Sequence, residues 1–191
     1  MDDSIAKPVN LTNESIKYGA MLGLVSTALY LLTYVIDPML MIKWWLGIVM
    51  LVLFVVMLVF ISKAIRKANG GFISFGKMFQ MIFIVMMVSS VISVGFQFVL
   101  YKVIDPTLEE TLRSALIENT SQWMMDWGMS ESDIEKATEG MQTQSFAPSA
   151  WSIFGVLAAS VIFALIFGAI FKKKNKDADY EALLTQESST N

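Results

Sequence analysis

Residues 44–62 read WWLGIVMLVLFVVMLVFIS. Only Gly47 and Ser62 fall outside the apolar class, so a helix over this stretch would have no polar face for water. At a rise of 1.5 Å per residue the stretch extends about 28 Å, close to the roughly 30 Å of a bilayer's hydrocarbon layer. The stretch therefore predicts a membrane-spanning helix.

Three other uncharged stretches have similar length and character. The chain of 191 residues is 55% hydrophobic and only 16% charged, which is unusual for a soluble domain. The alternative, helices buried in a soluble core, would require this short chain to bury four apolar segments at once. The predicted spans are 18–36, 44–62, 75–101 and 149–171.

The predicted fold class is all-α: a polytopic membrane protein with four transmembrane helices and an extracytoplasmic amphipathic helical insertion between helices 3 and 4. Residues 1–175 are expected to form one four-helix transmembrane domain with the insertion at 102–148, followed by a polar cytoplasmic tail at 176–191. The first span is expected to remain in the protein, because acidic residues precede it and no small-residue cleavage site follows it.

The distribution of basic residues predicts the orientation. Ten Lys and Arg residues fall in the N-terminal segment, the second connection and the tail, whereas four fall in the first and third connections. Cytoplasmic segments retain positive charge more readily than translocated segments do. Both termini are therefore predicted to be cytoplasmic.

Composition excludes much catalytic chemistry. The chain has no Cys and no His, which removes thiol nucleophiles, disulfides, imidazole bases and common zinc sites. A catalytic alternative would pair Asp105 with Glu109 or Glu110 as acid and base, but no phosphate-binding loop, nucleophile elbow or metal-ligand cluster accompanies them. We therefore expect no enzyme, catalytic residue, cofactor, metal ion or nucleic-acid partner.

The second connection predicts a tight cytoplasmic turn. Asn69-Gly70-Gly71 is typical of a helix C-terminus, and Ser74 is typical of an N-cap. The basic residues around the turn are expected to lie on anionic lipid headgroups, the alternative being a dedicated partner or headgroup site. These residues are Lys63, Arg66, Lys67 and Lys77.

The third connection predicts two helices. Thr107 and Glu110 have the spacing of a capping box, and Ser130 is expected to begin a second helix that ends near Gly140. An apolar face in the first helix is expected to lie on the bilayer surface or over the bundle, with Trp123 and Trp127 as surface contacts. Its members are Leu108, Leu112, Leu116, Trp123 and Trp127.

Polar residues inside the spans form two sets, and the spans contain no Asp, Glu, Lys or Arg between their flanking charges. Such residues either line a solute path or form hydrogen bonds between helices. The first set is Ser89, Ser93 and Gln97, at a spacing of four on the third span. The second set is Ser26, Thr27, Tyr30, Thr33 and Tyr34, on the first span.

Small residues recur at a spacing of four in the outermost spans, as Gly19 with Gly23 and Ala164 with Gly168. Such pairs allow close helix approach, so the first and fourth spans are predicted to pack tightly, within the chain or between copies. Residues 35–38 read VIDP and recur at 103–106, which indicates either a tandem repeat or the common use of Asp-Pro to end a helix.

Residues 70–79 read GGFISFGKMF, and with Ile104-Asp105-Pro106, the 129–137 stretch MSESDIEKA and the closing lysines they resemble a bacterial membrane family, domain of unknown function 4199. The resemblance covers approximately residues 14–175. It implies a four-helix integral protein of a bacterial inner membrane and supplies no activity, ligand or catalytic residue.

The sequence therefore assigns no biochemical task. The leading hypothesis is a non-enzymatic membrane component that holds partners through its outer insertion or helix faces, and the alternative is a small-solute permease or channel subunit. The expected partners are the lipid bilayer and either a second copy of the chain or another membrane protein.

Overall fold

A computed structural model describes residues 10–143 and 145–173; the predicted tail at 176–191 lies outside these residues. Six α-helices account for most of the described chain, which contains no β-strand. They are α1 (Leu11–Ile36), α2 (Trp44–Ala68), α3 (Phe75–Val99), α4 (Leu108–Asp126), α5 (Glu131–Gln142) and α6 (Ala150–Phe171). A 3-10 turn, Pro38–Ile42, joins α1 to α2, and a π turn, Leu100–Ile104, extends α3.

Four of these helical segments are long and apolar enough to cross a bilayer, which confirms the predicted all-α class with four membrane-spanning helices. The segments are Leu11–Ile36, Trp44–Ala68, Phe75–Ile104 and Ser152–Phe171. The first helix begins before the predicted span because the Asn10 side chain accepts hydrogen bonds from the backbone of Thr12 and Asn13.

Helix α3 is the centre of the bundle and packs most extensively on α1 and then on α6. At Gly19 an added Cβ would lie 2.8 Å from the carbonyl oxygen of Val85, and at Gly168 it would lie 3.2 Å from the Phe75 ring. Gly23 approaches Ser89 and Ile92 of α3 in the same way, so all three glycines of the two small-residue pairs face α3.

The α2–α3 turn forms as its residues predict. Gly71 donates to the carbonyl of Arg66 and Gly70 to that of Lys67, the hydrogen-bond pair of a Schellman motif. Both glycines have positive φ, +75° and +88°, which explains why glycine is needed here. We call this end of the bundle the turn end; the chain leaves α6 here too, because Ile73 and Lys173 exchange backbone hydrogen bonds of 2.9 and 2.8 Å.

Helices α4 and α5 follow α3 and precede α6 in the chain, and they form a hairpin that we call the insertion. We call the end of the bundle opposite the turn end the insertion end. Ser130 caps α5 by accepting from Asp133, as predicted. The capping box predicted at Thr107 and Glu110 is wrong, because the Thr107 side chain makes no cap hydrogen bond. Asp105 takes that role instead and accepts from the backbone of Thr107 and Leu108.

The two Asp-Pro sequences form similar local structures. The Asp37 carboxylate accepts a hydrogen bond from the backbone N–H of Met39 at 2.9 Å, and the Asp105 carboxylate accepts one from that of Thr107 at 3.2 Å. Each aspartate therefore forms a turn with the residue two positions later in the chain. Each turn follows a membrane-spanning helix, as expected where Asp-Pro ends a helix. The tandem repeat stays a prediction.

Candidate binding cavity at the insertion end

A cavity of about 520 Å³ lies between the spans in the half of the bundle nearer the insertion. Helices α1, α2 and α3 supply nearly all of its lining, with Met41 from the 3-10 turn and Val156 from α6. The volume lies within the range of ordinary small-molecule sites. The cavity is therefore large enough to hold a small molecule.

The cavity brings the two predicted polar sets together. Helix α3 contributes Ser89, Ser93 and Gln97, together with Ser90, and α1 contributes residues from the second set. The α1 residues are Ser26, Thr27, Tyr30 and Thr33. Sequence spacing placed each set on one helix; only the packing of α1 against α3 places both sets on one cavity.

Most of these polar side chains have no hydrogen-bond partner in the described protein. The Thr33 hydroxyl donates to the carbonyl of Leu29, so its hydrogen-bond partner lies in its own helix. In contrast, Ser89 is only 5% exposed, yet it and its neighbour Ser93 make no side-chain hydrogen bond within residues 10–143 and 145–173. The Thr27 hydroxyl is buried and also unpaired. Of these groups, the Ser89 and Ser93 hydroxyls are available to an occupant of the cavity, whereas the Thr27 hydroxyl is enclosed by protein.

Helix α2 forms the apolar side of the cavity. None of residues 44–57, all described by the structure, is buried, whereas Leu58, Ile61 and Ile65 in the next turns are at most 2% exposed. Helix α2 therefore packs closely only in its turn-side half. The lining residues on α2 are Leu46, Gly47, Met50, Leu51, Leu53, Phe54 and Met57.

Apolar packing closes the cavity toward the turn end. Met57 and Met86 line the cavity, while Leu58 and Val85, their immediate neighbours in sequence, are fully buried. Below them a continuous core, which we call the turn-side core, joins all four spans. Ala164 lies in this core, and Gly168 contacts Phe75 and Phe79 of α3 one helical turn nearer the turn end.

A second apolar cluster closes the cavity toward the insertion end. Leu100, Tyr101, Leu108 and Leu112 are at most 2% exposed and pack with cavity-lining side chains such as Tyr30. The other members of this cluster, which we call the insertion-side cluster, are Tyr34, Met41, Ile42, Phe96, Phe146 and Ala147. A hydrogen bond of 2.7 Å joins the Tyr30 and Tyr101 hydroxyls within it.

The Glu109 carboxylate is one of two that attach the insertion to the bundle. Glu109 binds Lys102 at 3.1 Å and Arg113 at 3.2 Å and accepts a hydrogen bond from Ser145. The Ser145 hydrogen bond, followed by Lys102, lowers the pKa of Glu109. Both partners stabilise the ionised form, so this carboxylate is arranged to hold structure at neutral pH rather than to exchange protons.

Asp105 acts in a similar way at the start of α4. The Thr107 hydroxyl donates to it at 2.8 Å, and this hydrogen bond is the main cause of the lowered pKa of Asp105. The Tyr34 hydroxyl also donates to Asp105, at 3.2 Å, and so joins α1 to the insertion. The Asp105 and Glu109 carboxylates, the candidate acid–base pair, are therefore occupied by structural hydrogen bonds.

The cavity has no charged lining. Its lining residues, all within the described part of the chain, include no Asp, Glu, Lys or Arg. The described residues also contain no group of three or more acidic, His or Cys side chains that could hold a metal ion. The arrangement can therefore offer hydroxyl and amide hydrogen bonds together with an apolar surface, but no counter-ion.

The basic residues of the turn lie at the other end of the bundle from the cavity. Lys63, Lys67 and Lys77 are exposed, and Arg66 is half-buried. The Lys77 ammonium donates to Asn69 at 3.0 Å, which ties the charge to the turn itself. These residues and the cavity form two separate regions.

The aromatic pair of the insertion is exposed. Trp123 and Trp127 have ring centroids 4.8 Å apart and are 57% and 73% exposed. Leu108 and Leu112 of the predicted apolar face pack on the bundle end, whereas the two tryptophans do not lie over the bundle. That the tryptophans contact the bilayer surface stays a prediction. Met124 of α4 is buried, and α5 packs against α4.

Sequence reasoning missed the α2 lining and the role of Tyr101. Helix α2 is so uniformly apolar that no periodic signal separates the side chains facing the cavity from those facing lipid. Tyr101, with a hydroxyl near the end of a span, was a detectable signal, because a buried tyrosine usually pairs its hydroxyl.

The family comparison agrees with the sequence resemblance. The family model described as "Protein of unknown function (DUF4199)" matches residues 17–173. The chain belongs to this family, whose description assigns no activity. No curated protein and no solved structure matches the chain.

Proposed function

We propose that the protein is a non-enzymatic component of a bacterial inner membrane that holds a partner membrane protein through its insertion. The observation that carries the proposal is the exposed Trp123–Trp127 pair on the α4–α5 hairpin. Tryptophan contributes disproportionately to binding where its ring becomes buried at an interface. The partner is another integral membrane protein or a second copy of this chain.

The attachment of the insertion supports this role. Glu109, Asp105 and the insertion-side cluster hold the start of α4 against the bundle end. A surface that is ordered before binding loses less conformational entropy when a partner docks. The tryptophans thus project from a hairpin whose base is already fixed.

The proposed orientation places the turn end in the cytoplasm and the insertion outside. The excess of Lys and Arg in the N-terminal segment, the second connection and the tail supports it. A periplasm-active phosphatase fused after residue 70 should be inactive, and the same reporter fused after residue 140 should be active. The opposite pattern would refute the orientation.

Site-specific photo-crosslinking in intact cells tests the partner surface. A photoreactive amino acid at position 127 should give a discrete crosslinked protein, identified by mass spectrometry, and the same residue at position 44 is the matched control. Trp44 is also exposed, at 78%, but lies at the start of α2 rather than on the insertion. Equal crosslinking from both positions, or none from position 127, would count against the proposal.

A second candidate function is small-solute permeation, which the convergence of both polar sets on one cavity favours. It requires the turn-side core to open in another conformation. Solute flux into proteoliposomes should then fall in a Ser89→Ala, Ser93→Ala, Gln97→Leu variant. Flux that is unchanged by these three substitutions would dispose of this pathway.

A further inference from the structure

We propose that the cavity binds a neutral amphipathic lipid taken from the bilayer, with its uncharged polar group on α3 and its hydrocarbon along α2. The contacting polar groups are Ser89, Ser93 and Gln97. This site is independent of the insertion surface proposed above, because neither tryptophan lines the cavity.

The unpaired polar groups that line the cavity can form hydrogen bonds with an occupant. Ser89 is 95% buried, being 5% exposed, and it lines the cavity without a side-chain partner in the described chain. Inside a membrane no bulk water compensates such a group, so a ligand hydroxyl or carbonyl that pairs with it is favoured. Gln97 adds an amide that can both donate and accept.

The uncharged lining selects for a neutral head group. A phosphate or an ammonium in this cavity would lose its hydration and meet no opposite charge, since the lining contains no ionisable side chain other than Tyr30. A hydroxyl, ester or ketone suffers no such loss because Ser and Gln can pair with it. The preferred occupant is therefore a lipid without a charged head group.

The closed ends of the cavity indicate how its occupant enters. The turn-side core closes one end, and the insertion-side cluster closes the other. The remaining approach is between the helices, where α2 is loosely packed: Leu51 and Leu53 line the cavity and are 53% and 41% exposed. These residues lie at the level of the hydrocarbon layer, so the bilayer supplies the ligand.

The apolar side of the cavity suits a flexible hydrocarbon chain. Met50, Met57 and Met86 line it, and methionine side chains adapt to irregular apolar shapes. A small hydrophilic solute would leave this surface uncompensated, whereas an acyl or isoprenoid chain would cover it. The two chemically different sides thus match the two parts of an amphiphile.

Photolabelling of the full chain tests the site. The protein is reconstituted in nanodiscs of phosphatidylethanolamine and phosphatidylglycerol with a clickable diacylglycerol that carries a diazirine in its acyl chain. Labelled peptides should map to residues 46–57 and 86–97, and excess unlabelled diacylglycerol should abolish the labelling. Labelling that does not saturate, or that spreads evenly over all lipid-facing helix surfaces, would overturn the proposal.

Matched variants sharpen the test. Ser89→Ala, Ser93→Ala, Gln97→Leu should weaken labelling about ten- to thirtyfold, since each hydrogen bond lost inside a membrane changes affinity roughly threefold. The control Ser62→Ala, Ser160→Ala, Gln80→Leu makes the same chemical changes at residues that do not line the cavity and should label as wild type. Equal labelling of the two variants would contradict the proposal.

Two further measurements test occupation of the cavity and the choice of head group. Gly47→Phe should also block labelling, and the fold tolerates a larger side chain there because an added Cβ at Gly47 meets nothing within 4 Å. A phosphatidic acid probe with the same acyl chain should label the cavity much less than the diacylglycerol probe, and equal labelling would refute the preference for a neutral head. The Trp123→Ala, Trp127→Ala variant should label as wild type, which distinguishes failure of the insertion proposal from failure of this one.

Discussion

The two halves of the membrane bundle are made from the same four helices but are packed differently. In the turn-side half, Leu22, Leu58, Ile82 and Val85 are fully buried and α1 contacts α3 at Gly19 and Gly23. In the insertion-side half, residues 44–57 of α2 and 152–159 of α6 include no buried residue, and a cavity separates α2 from α1 and α3.

The comparison shows that hydrophobicity and packing are separate properties in a membrane. Apolar side chains gain little by leaving lipid for a neighbouring helix, so helices associate where small residues permit close contact. The close approaches at Gly19, Gly23 and Gly168 all involve α3 in the turn-side half or at its boundary. Beyond these close approaches, α2 separates from α1 and α3 and leaves the cavity.

The largest expected effect comes from filling the α1–α3 contact. Gly19→Leu would place a Cβ 2.8 Å from both the Val85 carbonyl oxygen and the Val88 Cβ, which forces the helices apart. We expect a loss of about 3 kcal/mol in unfolding free energy, measured by titration from mild detergent into sodium dodecyl sulfate. Gly95→Leu is the control, because an added Cβ at Gly95 meets nothing within 4 Å. Similar losses for both variants would show that the two halves are not packed differently.

A truncation pair on α2 compares the halves directly. Leu58 is fully buried in the turn-side core, whereas Leu53 lines the cavity and is 41% exposed. Leu58→Ala should cost about 2 kcal/mol, because it removes packed contacts, and Leu53→Ala should cost less than about 0.5 kcal/mol. The same unfolding titration measures both, and an equal loss would place the two residues in equivalent environments.

The attachment of the insertion is expected to depend on pH through Glu109. Because its folded-state pKa is lowered, the carboxylate stabilises the fold above the ordinary glutamate pKa of roughly 4.3, and this contribution is lost as the pH falls through the folded-state value. Glu109→Gln should therefore cost about 1 kcal/mol at pH 7 and have a smaller effect as the pH is lowered below about 4. Unfolding titrations at both pH values test this.

The control for this pH prediction is Glu118→Gln. Glu118 is exposed on the same helix, and no salt bridge joins it to another described residue. Its substitution should change stability little at either pH. If the effect of Glu109→Gln were the same at both pH values, ionisation of Glu109 would not be the cause.

The smallest expected effect is the loss of one hydrogen bond at the insertion end. Tyr30→Phe removes the 2.7 Å contact with Tyr101 and should cost about 0.6 kcal/mol, the average for a hydrogen bond between membrane helices. Tyr18→Phe is the matched control in the turn-side half, where the hydroxyl has no hydrogen-bond partner among the described residues. If Tyr18→Phe lowered the free energy of unfolding as much as Tyr30→Phe, the hydrogen bond to Tyr101 would not be the cause of the loss.

Local signals predicted much of the fold. The four spans, the Gly70-Gly71 turn and the Ser74 and Ser130 caps follow from interactions within a few residues, and the structure contains them. The capping box at Thr107 failed because Asp105, one residue before the proline, accepts hydrogen bonds from both the backbone N–H and the hydroxyl of Thr107. Two local motifs overlapped there, and sequence alone did not rank them.

The candidate site was only half predictable. Spacing identified Ser89, Ser93 and Gln97 as one face of a helix, but it could not determine whether that face meets lipid, another helix or a cavity. The opposite side of the site lies on α2, where uniform hydrophobicity hides any preferred face. The exposure of Trp123 and Trp127 is likewise a property of the tertiary structure.

The amino-acid sequence by itself determined that four helices are apolar enough to enter a bilayer, because transfer into lipid depends on side-chain composition along each segment. The tertiary structure alone decided that α3 is central, that α1 and α6 pack on it through Gly19, Gly23 and Gly168, and that α2 separates from it toward the insertion. These outcomes depend on shape complementarity between helices distant in sequence, which no single segment encodes.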